Sequence, residues 1–351
     1  MPPLLLSEAD VRKVLTMKDA IDGLEMAYKQ EAEGRAGYRP KTTVYVGSQE
    51  RHLTHVTSLG GLDDPGMVCL NIRSNVIGAK DNSGGTYMNM LFSGETGELL
   101  TMMSTGGISW YRVAGSAALA ARDMALPGAK VVGILGSGNS ARPHPLAYAE
   151  VRDIELFKIF SPNPEHRKAF AEWTTEKTGI PAQALDNPEE VIRGSDIIAA
   201  CTNTRDEPII KKEWLDVPGL HMTAVQSGTG AAELELEGLK MFTRLVTSFD
   251  GPTVHVPTRP GKWTGGAEDE ESMKRFDVIP NHHTLAELVG GKVPGRESPE
   301  ERNYYLNQGT GVQYAGVAIK VYQRALEEGI GTRMPEEWFK WFQMGQRGLW
   351  T

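Results

Sequence analysis

The chain has 351 residues, of which 40% are hydrophobic and 23% charged, and its formal net charge is −8. This composition is typical of a globular protein with two domains. The acidic balance, without a long basic run, argues against nucleic acid and against an anionic membrane surface as partners. Cys69 and Cys201 are the two cysteines, which makes a disulfide framework improbable. No apolar run reaches the roughly 18 residues of a membrane span, so we expect a cytoplasmic protein.

The part of the chain before residue 126 combines helical and β-rich patterns. Ser7 and Thr16 are favourable helix N-caps, and apolar residues at helical spacing predict one or two helices up to residue 34. Residues 40–80 are rich in β-branched residues and interrupted by Gly, Asp and Pro, which predicts antiparallel strands. YMNMLFS-GETG-ELLTMMS predicts a hairpin, and the alanine-rich WYRVAGSAALAARDMA predicts a helix.

From residue 131 onward, strand and helix patterns alternate. The predicted strands are VVGILG, IELFKIFS, PAQALD, DIIAACTN, HMTAVQS and RLVTSFD, and helical segments separate several of them. Strands that alternate with helices predict a parallel, doubly wound sheet of the Rossmann type, and hence an α/β protein. After residue 310 the chain becomes helical again.

The first of these strands leads into a glycine-rich loop, VVGILGSGNSARPHP. Gly136 would make the tight turn, Gly138 would let the backbone approach a pyrophosphate, and Ala141 would allow close packing of a helix that follows Asn139. The phosphates would lie on N–H groups at the start of that helix, whose first turn tolerates proline. The predicted cofactor-binding residues of this loop are Gly136, Ser137, Gly138, Asn139, Ser140 and Ala141. The alternative is an ordinary glycine-rich turn between a strand and a helix.

The end of the second strand bears on the choice of cofactor. An Asp or Glu at this point usually holds the ribose 2′-hydroxyl of NAD, but the sequence here is FSPNPEHR. Ser161, Asn163 and Arg167 are instead candidates to contact a 2′-phosphate, so NADP(H) is favoured and NAD(H) remains possible. Thr202 and Asn203 end a later strand, where a doubly wound sheet presents its ligand-binding edge, and they are further candidate cofactor-binding residues.

The order of these parts resembles the ornithine cyclodeaminase/mu-crystallin family over nearly the whole chain. The matching motifs are LFSGETGELL, ISWYRVAGSAALAARDMA, GILGSGNSAR, GSDIIAACTNT and GVQYAGVAIKVYQRALEEGIG. The resemblance implies that a Rossmann-type domain, residues 126–311, is inserted into a second α+β domain. Residues 1–125 and 312–351 would form this second domain, which binds substrate and makes the subunit contacts of a homodimer.

The resemblance also implies substrate-binding residues. Arg112 and Arg39 match arginines that bind a substrate carboxylate in the family, and a planar guanidinium suits this task because it can bind both oxygens. Asn71 occupies the position of a family lysine, and Arg73 lies two residues further along the same strand face. We therefore expect Arg73 to take over the charge, and we take Asn71 and Arg73 as the candidate catalytic residues. Gly228 stands where the cyclodeaminases have an aspartate.

These residues favour an NAD(P)-dependent oxidoreductase, of the imine reductase or amino acid dehydrogenase type, that acts on an imino acid, an amino acid or a related 2-substituted carboxylate. A cyclodeaminase that recycles its NAD internally is one alternative. A non-catalytic, NADP(H)-dependent binding protein of the crystallin type is another. His52, His55, Asp63 and Asp64 match no strong ligand spacing, so we expect no metal site.

Overall fold

We describe a computed structural model of the protein, which covers residues 2–47, 52–77, 85–202, 204, 207–225, 233–249, 254–257 and 274–339. Two eight-stranded sheets organise this part of the chain. The first sheet has the order β13-β2-β3-β4-β5-β6-β1-β16. We call it the antiparallel sheet, because its strands β2 to β6 pair antiparallel. Its strands are β1 (Leu4–Leu6), β2 (Ala36–Gly47), β3 (His52–Leu62), β4 (Met67–Ile77), β5 (Thr86–Ser93), β6 (Leu99–Ser104), β13 (Val254–Pro257) and β16 (Thr332–Arg333).

The second sheet has the order β14-β12-β15-β11-β10-β7-β8-β9, and all of its neighbouring strands pair in parallel. Its strands are β7 (Val131–Leu135), β8 (Leu156–Phe160), β9 (Ala182–Ala184), β10 (Ile197–Ala200), β11 (His221–Ala224), β12 (Arg244–Thr247), β14 (Asn281–Thr284) and β15 (Asn303–Leu306). The order steps to both sides of β7, as expected of a doubly wound sheet. The fold class predicted from the sequence is confirmed.

Helices cover both sheets. The α-helices are α1 (Glu8–Val14), α2 (Met17–Ala32), α3 (Gly106–Met124), α4 (His144–Val151), α5 (Pro164–Thr178), α6 (Pro188–Arg193), α7 (Leu236–Leu239), α8 (Leu285–Val289) and α9 (Gly311–Glu328). Short 3-10 turns cover Lys212–Trp214, Arg275–Val278 and Glu336–Phe339. Within the described residues, no helix combines the length and apolar character of a membrane span.

Four strands differ from the sequence-based prediction. β1 was not predicted, and its three residues pair in parallel with β6. β14 and β15 flank β12 in the parallel sheet, and neither was among the predicted strands. β13 lies within the segment 126–311 but pairs with β2 of the antiparallel sheet. Each of these short strands is defined by a distant pairing partner, which local periodicity does not report.

Two close backbone contacts fix the helix α9 against its neighbours. An added Cβ at Gly60 of β3 would lie 2.2 Å from the carbonyl carbon of Gly311, the first residue of α9. An added Cβ at Gly23 of α2 would lie 2.5 Å from the carbonyl oxygen of Gly316. Both distances are shorter than any Cβ contact tolerates, so only glycine permits α9 to approach β3 and α2 this closely.

We expect Gly60→Ala to destabilise the protein by about 1–3 kcal/mol, because the new methyl group must push the start of α9 away from the sheet. Gly37→Ala on the neighbouring strand β2 is the matched control, since an added Cβ there has no heavy atom within 4 Å. Urea denaturation of the two variants measures the difference. Equal stability of both variants would show that the contact does not constrain the helix.

Candidate functional site

A cavity of about 700 Å³ lies between the carboxyl edge of the parallel sheet and the antiparallel sheet. Its wall combines the glycine loop with residues of β2, β3, β4, α3 and α9. The described lining residues are Lys41, Thr43, Tyr45, Thr54, Val56, Ser58, Arg73, Ser109, Trp110, Arg112, Val113, Gly136, Ser137, Gly138, Ser140, Phe160, Ser161, Pro162, Cys201, Thr202, Thr204, Ile209, Val225, Asn307, Gly309 and Tyr314. This set contains three cationic side chains and no acidic one, so the cavity suits an anionic ligand.

The glycine loop has the geometry of a nucleotide cradle. Gly136 has a φ of +111°, and an added Cβ would lie 2.5 Å from the carbonyl oxygen of Cys201, so the turn requires glycine. An added Cβ at Gly138 would enter open space beside the cavity, where a ligand could instead approach the backbone. Ala141 is fully buried behind the loop, and Asn139 is exposed. The helix α4 begins at His144 rather than directly after Asn139.

The end of β8 carries the residues expected to distinguish NADP(H) from NAD(H). Ser161 lines the cavity and accepts a hydrogen bond from the Ser137 hydroxyl at 2.9 Å. Asn163 is exposed and caps α5 by accepting from the backbone N–H groups of Glu165 and His166. The Arg167 guanidinium donates to the carbonyl oxygen of Ser161 at 3.0 Å and pairs with Asp186. Asn163 and Arg167 thus have structural partners, and neither belongs to the described cavity wall.

A buried carboxylate supports the strand end at Thr202. Glu233 Oε1 accepts from the Thr202 backbone N–H at 2.8 Å and from its hydroxyl at 2.7 Å. Burial raises the pKa of Glu233 to about 7, against the lowering effect of these two hydrogen bonds. Thr202 lines the cavity, whereas Asn203 lies outside the described residues.

Arg112 is the most deeply buried cation of the cavity. Its Nη1 donates to Gln313 Oε1 at 2.8 Å, and its Nη2 donates to the Tyr314 hydroxyl at 3.2 Å. The guanidinium also lies 4.8 Å from the centroid of the Tyr314 ring. An added Cβ at Gly309 would lie 3.0 Å from both terminal nitrogens, so glycine there leaves room for the side chain. Among the described residues Arg112 has no carboxylate partner, and its charge can be offset by an anion in the cavity.

The cation that β2 contributes to the cavity is Lys41 rather than Arg39. Arg39 is exposed and is not part of the described wall. The pairing of β2 with β3 shifts between Arg39 and Thr42, and such a bulge reverses which alternate side chains face inward. Ala36 and Tyr38 are the less exposed residues before the bulge, whereas Thr43 and Tyr45 are the less exposed residues after it, and Lys41 lies on their face of the strand. The sequence-based assignment of Arg39 to the substrate site therefore disagrees with its location.

Arg73 and Asn71 share a face of β4 but have different surroundings. Arg73 lines the cavity, and its Nε has no hydrogen-bond partner among the described residues. Asn71 is completely buried outside the described cavity wall. Its amide donates to Asn89 Oδ1 at 2.9 Å and to the Thr105 hydroxyl at 3.3 Å. Asn71 thus ties β4 to β5 and to the start of α3, a location that does not match the predicted catalytic contact with substrate.

Tyr314 was missed in the sequence analysis. It lies in the first turn of α9, lines the cavity, and its hydroxyl is 3.4 Å from the Ser109 hydroxyl. Burial opposes ionisation of this phenol, but the charges of Arg112 and Arg73 outweigh burial and lower the pKa of Tyr314 to about 8. The local signal for the position is the TGVQY segment, in which Thr310 caps a helix that begins at Gly311.

The residues present fit a dinucleotide. The positive φ at Gly136, the open space at Gly138 and the strand ends at Ser161 and Thr202 all meet at one edge of the parallel sheet. This edge is where doubly wound sheets bind their ligands. The fold and the cavity thus define a class: a Rossmann-type protein with an anion-binding pocket next to its glycine loop.

Comparison with known proteins gives the family. Residues 1–329 match the model of the ornithine cyclodeaminase/mu-crystallin family, and the chain belongs to this family. It is 27% identical to alanine dehydrogenase of Archaeoglobus fulgidus, with 95% of this chain and 98% of that protein covered. It is 26% identical to Delta(1)-pyrroline-2-carboxylate reductase of Bacillus cereus, with 94% and 99% covered.

Solved structures of related enzymes also match nearly the whole chain. Thermococcus litoralis Delta(1)-pyrroline-2-carboxylate reductase in complex with NADH and L-proline has a TM-score of 0.80 at 27% identity, and the match covers 94% of this chain and 100% of that chain. An archaeal alanine dehydrogenase dimer with bound NAD has a TM-score of 0.78 at 26% identity, covering 95% and 99%. The resemblance inferred from the motifs is confirmed.

We expect Glu233→Gln to change how stability depends on pH. A carboxyl group whose pKa rises from its ordinary value of 4.5 to about 7 on folding stabilises the fold below pH 4.5, and this contribution is lost as the pH rises through 7. Relative to wild type, the variant should therefore gain stability between pH 5 and pH 8, by up to about 3 kcal/mol. Denaturation at both pH values measures this. A constant difference would contradict the raised pKa.

Proposed function

We propose that the protein is an NAD(P)H-dependent reductase of an imino acid, or of a closely related 2-substituted carboxylate, and that it oxidises the corresponding amino acid in reverse. The observation that carries the proposal is the single cavity in which the glycine loop faces Arg112, Arg73 and Lys41. A cofactor and an anionic substrate can therefore share one cavity. The named relatives, an alanine dehydrogenase and pyrroline-2-carboxylate reductases, support this reaction class.

The residues divide into two groups under this proposal. Gly136, Ser137, Gly138, Ser140 and Ala141 shape the pyrophosphate cradle, with Asn139 at its exposed rim. When bound, the reduced nicotinamide would supply hydride to the substrate carbon. Arg112 would bind the substrate carboxylate, and Arg73 and Lys41 would add positive charge to the same wall. A guanidinium held by neighbouring side chains orients a carboxylate well, because its fork is already fixed before binding.

We also propose a homodimer, as in the archaeal alanine dehydrogenase structure. The face of the antiparallel sheet that points away from the cavity carries exposed apolar side chains, among them Val46, Leu59 and Val76. Exposed apolar side chains on a sheet face are typical of a subunit interface.

The reaction is tested by following NAD(P)H oxidation with a panel of substrates. The panel contains Delta(1)-pyrroline-2-carboxylate, pyruvate with ammonia or methylamine, and ornithine with oxidised cofactor. We expect reduction of at least one imine. Proline formation from ornithine without net reduction of the supplied oxidised cofactor would instead identify a cyclodeaminase. Cofactor binding without turnover of any member would contradict the proposal and favour a binding protein.

The two cations near the β2 bulge give a matched pair of variants. Lys41→Ala should raise KM for the carboxylate substrate roughly tenfold or more, because a charge-assisted contact is lost. Arg39→Ala should leave KM within about twofold, since its exposed side chain lies outside the described wall. Steady-state kinetics on the best substrate of the panel measure both values. The opposite ranking would restore Arg39 as the substrate-binding residue.

We propose NADP(H) as the preferred cofactor, because Ser161 to Pro164, at the end of β8, contain no acidic residue to hold a ribose 2′-hydroxyl. Fluorescence titration should give a lower Kd for NADPH than for NADH. Arg167→Ala should reduce the difference if this guanidinium exchanges Asp186 for the phosphate. Tenfold tighter binding of NADH would refute the preference.

A further inference from the structure

We propose that Tyr314 is the catalytic acid of the reduction and donates the proton that the substrate nitrogen takes up as its carbon accepts hydride. This inference rests on the proposed function and adds the proton donor that the reaction requires. Its basis is the position of the phenol in the cavity wall, within hydrogen-bond distance of Arg112, the residue proposed to bind the substrate carboxylate.

The reaction needs a proton donor, and few described residues of the wall qualify. None of them is an aspartate or a glutamate. Arg73 and Arg112 stay protonated at any accessible pH and do not release a proton. Cys201 lines the cavity, but burial and the nearby Glu233 raise the pKa of its thiol well above the ordinary value. Tyr45 and Lys41 remain as rivals, and the experiment below separates them from Tyr314.

Charged and polar neighbours of Tyr314 change the pKa of its phenol. Arg112 of α3 donates to the hydroxyl at 3.2 Å, and Ser109 of the same helix lies 3.4 Å away. Arg73 approaches from β4, and Lys41 lines the same cavity from β2. Although burial raises the pKa of the phenol, the positive charges bring it down to about 8. A donor whose pKa lies close to the working pH is both protonated and ready to transfer its proton.

The fold also holds Tyr314 in place for transfer. Its helix begins with a capping box in which the Thr310 hydroxyl accepts from Gln313 N–H, and Gln313 Oε1 accepts from Thr310 N–H. The Gln313 amide also donates to the Tyr28 hydroxyl at 2.7 Å. The helix start is further fixed by the close contact of Gly311 with Gly60. These contacts fix the first turn of α9, which carries Tyr314.

The step balances as follows. Tyr314 releases its hydroxyl proton to the nitrogen of the substrate C=N bond, whose π electrons form the new N–H bond. The substrate carbon accepts hydride with its electron pair from the reduced nicotinamide, so the imine is reduced and the cofactor oxidised by two electrons. The product is an amine, and solvent returns a proton to the Tyr314 oxygen. Because the hydroxyl lies against Arg112, the arrangement suits a carboxylate directly adjacent to the C=N carbon, as in a 2-imino acid.

The test compares wild type with Tyr314→Phe, which keeps the ring against Arg112 and removes only the hydroxyl. We expect kcat to fall roughly 100-fold or more, the scale of general acid catalysis, while KM changes by less than about threefold. In wild type, reduction should slow as the pH rises through 8, because the phenol must be protonated to act. This decline in rate at alkaline pH, the alkaline limb of the pH profile, should be absent in Tyr314→Phe. It should move to lower pH when position 314 carries a fluorinated tyrosine, because fluorine lowers the pKa of the phenol.

Tyr322→Phe is the matched control, since Tyr322 is a buried tyrosine two turns further along α9 and outside the described cavity wall. Its kcat and pH profile should equal those of wild type. Unchanged kcat in Tyr314→Phe would overturn the proposal, as would a raised KM with the alkaline limb intact, which indicates a role in orienting Arg112. If the alkaline decline in rate instead disappears in Tyr45→Phe or in Lys41→Ala, the proton donor is Tyr45 or Lys41. Failure of the wild type on the whole panel would instead refute the proposed function.

Discussion

The buried charge of Arg112 is the constraint on which the rest of the site depends. A guanidinium removed from water loses its hydration, and in the described part of the chain no carboxylate compensates for this loss. The protein provides neutral partners instead: the Gln313 amide, the Tyr314 hydroxyl and the face of the Tyr314 ring. Such partners stabilise the cation without neutralising it. The remaining positive potential is available to a carboxylate that enters the cavity.

The helix α9 brings these partners to Arg112 from the far end of the chain. Glycines at its crossing with α2 and at its contact with β3 allow the backbones to approach closely. The parallel sheet lies between these two parts of the chain in sequence, and its strand ends at Ser161 and Thr202 close the cavity from the opposite side. Cofactor cradle and anion-binding wall thus come from different sheets, and the reaction is proposed to take place where they meet.

Local sequence patterns predicted the parts of the site whose structure depends on residues close together in the chain. The alternation of strands and helices, the spacing of Gly136 and Gly138, and the position of Arg112 on a helix can all be read from neighbouring residues. The strand β15 and Tyr314 depend on long-range pairing and packing, and their sequence carries only weak signals. Arg39 and Lys41 differ by two positions, and the bulge that separates their faces is a property of the paired strands. Asn71 shares its face with Arg73, but the neighbours Asn89 and Thr105 enclose it, and periodicity cannot reveal such enclosure.

The central claim, that Arg112 binds the substrate carboxylate, is tested most directly by calorimetric titration of the amino acid formed from the best imine substrate of the panel into the protein saturated with oxidised cofactor. Arg112→Gln is the informative variant, because it removes the charge and the terminal nitrogens that contact Gln313 and Tyr314 while keeping a polar side chain at this position. The account predicts binding to wild type and at least roughly tenfold weaker binding to the variant, with an unchanged Kd for the cofactor. Equal affinity of both proteins, or no binding to wild type, would contradict it.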